Sequence, residues 1–333
     1  MKNKILAYGE IMLRLSPENF NTIEESDFFE ACYGGSESNV LVALSHLGND
    51  TEFFTKVPQN SLGEGVVRHL KKHGVGTDNI IMDGSVLGVY FMQQGFGTRP
   101  SKVIYNRKSA VINTLDPNNL NLAKIFKNVS WFHVSGISLA ISLNSQQVTL
   151  KLLEYAKQNN IKTSFDFNFR STLWSVEQAK SVYKKVMPFV DVCFGNVFDL
   201  TTFLDINENS NEKIVHKFLK KYNVSYLIHT NRDVLSATQN TLSASLYCLK
   251  NDKLKTITTP KTTFEILDRI GGGDAFVGGV IHCLNKKFND FNEAINLGLK
   301  LDILKHLVKG DVLSLSKFEI EAWINNNNKD VQR

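Results

Sequence analysis

Long apolar runs are missing from this 333-residue chain. Nothing approaches the roughly 18 consecutive apolar residues that a membrane-spanning helix needs, so no contact with a bilayer interior is expected. Cysteine is scarce. Cys32, Cys193, Cys248 and Cys283 stand far apart, with no Cys-x-x-Cys spacing. A disulfide framework or a zinc cluster does not fit that pattern, and free buried thiols in a reducing compartment do. The opening Met1-Lys2-Asn3-Lys4-Ile5-Leu6-Ala7 turns polar too soon for a secretory signal, which adds to the expectation of a cytoplasmic protein. Clustered basic charge is absent as well: the net charge is +5, and runs such as Lys71-Lys72 and Lys220-Lys221 read as solvated helix surface. Nucleic acid is therefore not an expected partner, while the mild basicity suits an anionic substrate. Apolar residues at 42% and charged residues at 21% leave no room for a disordered or fibrous reading.

What is present is an alternation. Short apolar runs at Ile5–Tyr8, Phe53–Val57, Trp131–Val134, Thr163–Phe167, Val192–Phe194 and Tyr226–His229 read as strands. Between them, helical spacing predicts helices over Ser38–Leu47, Leu62–His73, Ser145–Gln158, Val176–Met187 and Glu212–Tyr222. Strand–helix alternation without repeats or a long linker predicts one α/β domain over 1–333. It should have a mostly parallel sheet and bind ligands at the carboxyl ends of its strands. Only the polar tail Asn325–Arg333 reads as frayed. Two segments break the rhythm: about 11–31, without a convincing helix, and about 86–112. In the second, Val89–Gln94 and Lys102–Tyr105 flank a turn-rich Gly95–Pro100. Together they predict a small antiparallel sheet inserted in the main body, suited to act as a lid.

The strongest chemical signal is Asp268-Arg269-Ile270-Gly271-Gly272-Gly273-Asp274, followed by an apolar, small-residue helix to about Leu284. Glycines let backbone N–H groups approach a ligand closely, and a helix N-terminus favours an anion. A carboxylate at that lip would repel phosphate, but it can take a proton from an attacking hydroxyl. An ordinary glycine turn with Asp274 as an N-cap stays open on composition alone. The turn is neither a Gly-x-x-x-x-Gly-Lys-Ser/Thr loop nor a dinucleotide fingerprint, since Phe276 stands where a third glycine would be. Asp166, Asn168 and Arg170, spaced by two, would share one face of an extended strand end, with a plain Asp166–Arg170 salt bridge as the alternative. Tyr105 and Arg107 follow the same spacing on the proposed lid, beside Tyr90; packing or a dimer contact is the other reading of these aromatics. His69 and His73 share a helix face but lack an evident third ligand, so they read as surface residues. His133 reads as a hydrogen-bonded core histidine.

Together, Gly34-Gly35-Ser36-Glu37-Ser38-Asn39-Val40 and Asp268–Asp274, in this order and about 240 residues apart, resemble the two signatures of the ribokinase-like (PfkB-type) carbohydrate kinases. The resemblance runs from Gly9-Glu10 to about Ile320. The segments Gly9–Pro17, Gly97–Arg107, Asp166–Trp174 and Lys305–Asp311 are most similar to the 2-keto-3-deoxygluconate kinases of that family. It implies a three-layer α/β/α fold with a small β lid, and ATP and Mg²⁺ as cofactors. The implied activity is ATP-dependent phosphorylation of a sugar acid, 2-keto-3-deoxygluconate above all, to its 6-phosphate.

It also implies roles. Asp274 would be the base, with Gly271, Gly272 and Gly273 forming the anion cradle. Gly35, Ser36, Glu37, Ser38, Asn39, Tyr90, Tyr105, Arg107, Arg170 and Asp311 would bind the sugar acid. Asn168, Arg170, Asn196, Thr230, Arg232, Gly271 and Gly273 would bind nucleotide, and Asn196 with Asp199 would organise Mg²⁺ through water. The chain departs from the family pattern in places. Asp199 replaces a Glu, the His229-Thr230-Asn231-Arg232-Asp233 stretch lacks the usual Gly, and Gly272 replaces an Ala. Arg269 stands where Thr is common. A fructokinase- or ribokinase-like kinase of a neutral sugar is the alternative within the family. A non-catalytic sugar-acid sensor on the same fold is the alternative outside it. Exposed lid strands need cover, so a homodimer or larger oligomer through the lid is expected.

Overall fold

The computed structural model describes residues 3–286 and 290–325; the polar tail beyond Asn325 lies outside the described residues. Fourteen strands are numbered in chain order: β1 (Lys4–Tyr8), β2 (Met12–Pro17), β3 (Phe29–Gly34), β4 (Thr51–Val57), β5 (Ile80–Met82), β6 (Val89–Gln93), β7 (Lys102–Asn106), β8 (Val129–Ser135), β9 (Lys162–Asp166), β10 (Val192–Phe194), β11 (Tyr226–Val234), β12 (Gln239–Lys250), β13 (Lys253–Thr258) and β14 (Thr262–Glu265). Ten of them form one sheet in the order β13-β12-β11-β10-β9-β8-β1-β4-β5, with β14 on β12. The pairings from β5 through to β11 are parallel, and β12, β13 and β14 add antiparallel ones.

The inner parallel strands β1, β4, β8, β9 and β10 are buried on both faces, as the apolar runs require, whereas the edge strand β5 is largely exposed. In β1, Ile5 and Ala7 point into one core while Leu6 and Tyr8 point into the other. The first core also takes Val40 and Leu44 of helix Ser36–His46 and Val280 and Ile281 of helix Gly272–Asn285. The second takes Leu152 and Leu153 of helix Leu143–Gln158 and Phe218 and Leu219 of helix Asn211–Tyr222. The result is a three-layer α/β/α body, as the family resemblance implied, around the mostly parallel sheet that the strand–helix alternation predicted.

Strands β3-β2-β6-β7 form a separate four-stranded sheet from the two irregular segments. Two antiparallel pairs, β2–β3 and β6–β7, are joined by a parallel pairing of β2 with β6. Its inner face carries the small cluster Met12, Tyr90 and Met92. The strand expected at Tyr226–His229 continues to Val234, because its outer half pairs with β12.

Candidate active site

A cleft of about 390 Å³ opens where the small sheet stands over the carboxyl ends of the central strands. It gathers most of the residues singled out from the sequence. Gly35, Ser36, Glu37 and Asn39 enter from the start of helix Ser36–His46, Tyr90, Tyr105 and Arg107 from the small sheet and its exit, and Asn168 and Arg170 from the loop after β9. Arg232 comes from β11, Gly271, Gly272, Gly273 and Asp274 from the start of the Gly272–Asn285 helix, and Asp311 from beyond the last long helix. Ser38, Thr230, Asn196 and Asp199 do not line it. Ser38 is buried and its hydroxyl donates to the Gly35 carbonyl, so it braces the glycine turn. Asn196 and Asp199 cap helix Val197–Leu204 for each other, each side chain accepting from the other's backbone N–H. Thr230 lies just past the last β11 residues that pair with β10.

The glycine turn owes its shape to one residue. Gly271 is the helix N-cap at φ +86°, and a Cβ there would lie 1.8 Å from the Asp311 carbonyl oxygen. Only glycine fits both demands. The N-cap is thus Gly271 and not Asp274, whose side chain points away from the helix. Asp274 Oδ1 accepts from Ser36 Oγ at 2.9 Å, and Oδ2 accepts from Asn39 Nδ2 at 2.8 Å. Asn168 Nδ2 donates to the same Ser36 oxygen at 3.0 Å, which ties the β9 loop into the network. Burial pushes the Asp274 carboxyl up to about 7, although the bonds from Asn39 and Ser36 oppose the shift. Asp166 rises to about 7 too, first from burial and then from the charge of Asp274, with Arg170 opposing.

The region after β9 differs from the extended strand end expected. The strand stops at Asp166, whose Oδ1 accepts from the Asn168 N–H, and Asn168 turns into the left-handed region at φ 34°. The turn, not period-two spacing, carries Asp166, Asn168 and Arg170 into the cleft. The Asp166–Arg170 salt bridge is not among the ion pairs of the described residues, and Arg170 is exposed.

Two charged networks wall the lid side. Arg107 is buried and ion-paired with Glu10, which follows β1. Arg107 therefore reaches the cleft wall already paired with a carboxylate. The second network joins Arg14 of β2 to Asp268 and to Asp311, both at 2.8 Å, and the Tyr90 hydroxyl donates to Asp311. Burial works against the Arg14 charge, but the two carboxylates outweigh it and hold its pKa above the ordinary value. Asp311 is therefore a buried link between lid and body as well as part of the cleft wall. Tyr90 and Tyr105 are a cross-strand pair with ring centroids 5.8 Å apart.

Glu10 and Arg269 line the cleft but had no site role in the sequence reading. A charged residue directly after an apolar strand was the available signal for Glu10. His73 is not the surface residue expected: it is buried, 3.2 Å from His46, while His69 is half-buried beside it, and none of the three lines the cleft. Among the described residues no group of three His, Cys, Asp or Glu side chains is placed to hold a metal. His133 is a core residue bonded to Ser164, as read, whereas Cys32 is only half-buried.

Comparison with known proteins follows this geometry. A family model described as "pfkB family carbohydrate kinase" matches residues 2–317. A 2-dehydro-3-deoxygalactonokinase of Haloferax volcanii is 28% identical over the whole of both chains. A 5-dehydro-2-deoxygluconokinase of Clostridium botulinum is 28% identical, covering 89% of this chain and 85% of its own. The crystal structure of a 2-dehydro-3-deoxygluconokinase from Thermotoga maritima superposes with a TM-score of 0.90 at 34% identity, covering 97% of this chain and all of that one.

Proposed function

Because the chain belongs to the pfkB family of carbohydrate kinases, we propose that it transfers the terminal phosphoryl group of ATP to the terminal hydroxyl of a sugar acid. 2-Keto-3-deoxygluconate, going to its 6-phosphate, is the substrate that fits best. The relatives named above act on deoxy keto acids, which supports the class. The observation that carries the reading is Asp274, gripped by Ser36 and Asn39 beside the amides of the glycine turn, in a cleft that also presents Arg170.

In this reading the sugar hydroxyl sits against Asp274. A carboxyl raised to about 7 is matched to taking a proton near neutral pH. Ser36 and Asn39 fix the direction of its lone pairs. As the hydroxyl oxygen bonds to phosphorus, its proton passes to Asp274, and the N–H groups around Gly271–Asp274 take up charge on the moving phosphoryl. Arg170 offers a planar fork to the acid end of the sugar. Tyr90, Tyr105 and the small sheet above exclude water. Mg²⁺, when bound, offsets the charge of the nucleotide phosphates. Burial raises both Asp166 and Asp199, and the Asp199 charge adds to the rise at Asp166, so a nearby cation would relieve both. With no group of three ligating side chains among the described residues, these carboxylates and Asn196 fit an ion held through water and phosphate oxygens. Thr230 and Arg232 fit the nucleotide side.

One observation favours the neutral-sugar alternative: Arg107 is already neutralised by Glu10, which leaves fewer free cations for an acid. Arg170→Ala separates the two. A sugar acid as substrate loses about 10- to 100-fold in kcat/KM, the cost of a charge-assisted pair. A neutral sugar is barely affected, and that result would reject the acid.

A further inference from the structure

Three of the eight arginines are paired with carboxylates. Arg14 pairs with Asp268 and Asp311, Arg68 with Glu64, and Arg107 with Glu10. Among the described residues Arg170, Arg232 and Arg269 have no carboxylate within ion-pair distance, and all three line the cleft. Arg170 follows β9, whereas Arg232 lies on β11, two strands further along the sheet. Arg269 immediately precedes the glycine turn and is half-buried. One of its guanidinium nitrogens, Nη2, donates to the Ala237 carbonyl at 3.1 Å, in the connection between β11 and β12. The Ala237 N–H in turn donates to Gly97 of the lid at 2.8 Å. Arg269 is therefore anchored where hairpin, lid and glycine turn meet.

Burial, and then the neighbouring charge of Arg232, lower the pKa of Arg269. Two like charges held close without an anion between them cost free energy until a ligand supplies negative charge. A single carboxylate on a sugar acid would balance only one. A nucleotide phosphate chain carries several charges, and its oxygens match paired guanidinium forks. We propose that Arg232 and Arg269 form a two-arginine clamp on the phosphate chain of the nucleotide, with Arg269 a catalytic residue contributed by the loop just before the glycine turn. This rests on the kinase reading above. As the bond from the terminal phosphorus to its bridging oxygen breaks, the electron pair stays on ADP, and the clamp takes up that charge.

The test is titration calorimetry of the full-length protein with ATP, ADP and adenosine in the presence of Mg²⁺. Arg269→Gln keeps an N–H donor near Ala237 and removes the charge. It is expected to weaken ATP and ADP about 10- to 100-fold, to leave adenosine within about twofold, and to leave the KM for the sugar nearly unchanged. Arg269→Lys should fall between. Arg232→Gln, at an exposed side chain, should show the same phosphate-selective loss and carries the test should Arg269→Gln not fold. Unchanged ATP and ADP binding, or an equal loss for adenosine, overturns the clamp. A parent protein that binds ATP and phosphorylates a sugar while its variants lose nothing rejects the clamp alone. A parent that binds no nucleotide rejects the kinase reading with it.

Discussion

Asp274→Asn probes activity and stability at once, with opposite signs. The substitution keeps the shape and one acceptor oxygen but removes the base. A positioned base is worth about 10²–10⁴ in rate, so kcat should fall by that factor while sugar and ATP binding persist. The stability effect follows from linkage. A carboxyl at about 7 in the folded protein and near 3.8 in the unfolded chain binds its proton more tightly when folded. The charged form therefore costs stability, a cost absent below about pH 4, growing through pH 4–7 and complete above 7. Three units at about 1.4 kcal/mol each set a ceiling near 4 kcal/mol. The side chain is only partly withdrawn from water and one bond to Ser36 or Asn39 is weakened, so a net gain of about 1–2 kcal/mol at pH 8 is the expected order. Denaturant unfolding at pH 5 and pH 8, with ADP release measured alongside, reads both. The stability advantage of the variant over the parent should widen from pH 5 to pH 8 as its activity disappears. A variant that phosphorylates at the parent rate, or whose advantage shrinks as pH rises, refutes the reasoning.

Other expectations follow from the same geometry. In the parent, kcat/KM should fall as pH drops below about 7, because Asp166 and Asp274 take up protons there as a coupled pair; a flat profile down to pH 5 counts against Asp274 as base. Arg14→Met leaves Asp268 and Asp311 buried without their cation and should cost about 3–5 kcal/mol in urea unfolding at pH 7; a loss under about 1 kcal/mol would show the network to be slack. Strand β7 is a sheet edge with Ile104 and Tyr105 about 40% exposed, so we expect the chain to sediment as a dimer joined through the lid and Ile104→Lys to release monomers. A monomeric parent at micromolar concentration contradicts that.

Much of this architecture was legible in the residues. Parallel strands buried on both faces leave continuous apolar runs, so β1, β4, β8, β9 and β10 stood out, with ends only a residue or two away. The region 239–265 was harder to read. Strands β12 to β14 alternate polar and apolar residues with many Thr and Ser, and their pairing is decided by distant partners. The glycine turns were readable because only glycine tolerates Gly271's φ, or a Cβ at Gly35 that would meet the Glu10 carbonyl at 2.0 Å. The ion pairs were not. Arg107 finds Glu10 across 97 positions, and Arg14 finds Asp311 across 297. No spacing rule connects such residues until the lid folds onto the body. The same distance hid the three histidines, since His46 and His69–His73 meet only when their helices pack.

The central claim is that this cleft phosphorylates a sugar acid. The most direct measurement is coupled detection of ADP release by the parent protein with ATP and Mg²⁺, across 2-keto-3-deoxygluconate, 2-keto-3-deoxygalactonate, 5-keto-2-deoxygluconate, fructose and ribose. The account predicts turnover with at least one keto-deoxy acid, 2-keto-3-deoxygluconate foremost, at a kcat/KM well above that for either neutral sugar. Turnover of fructose or ribose in preference to every acid, or no ADP release with any of them, would contradict it.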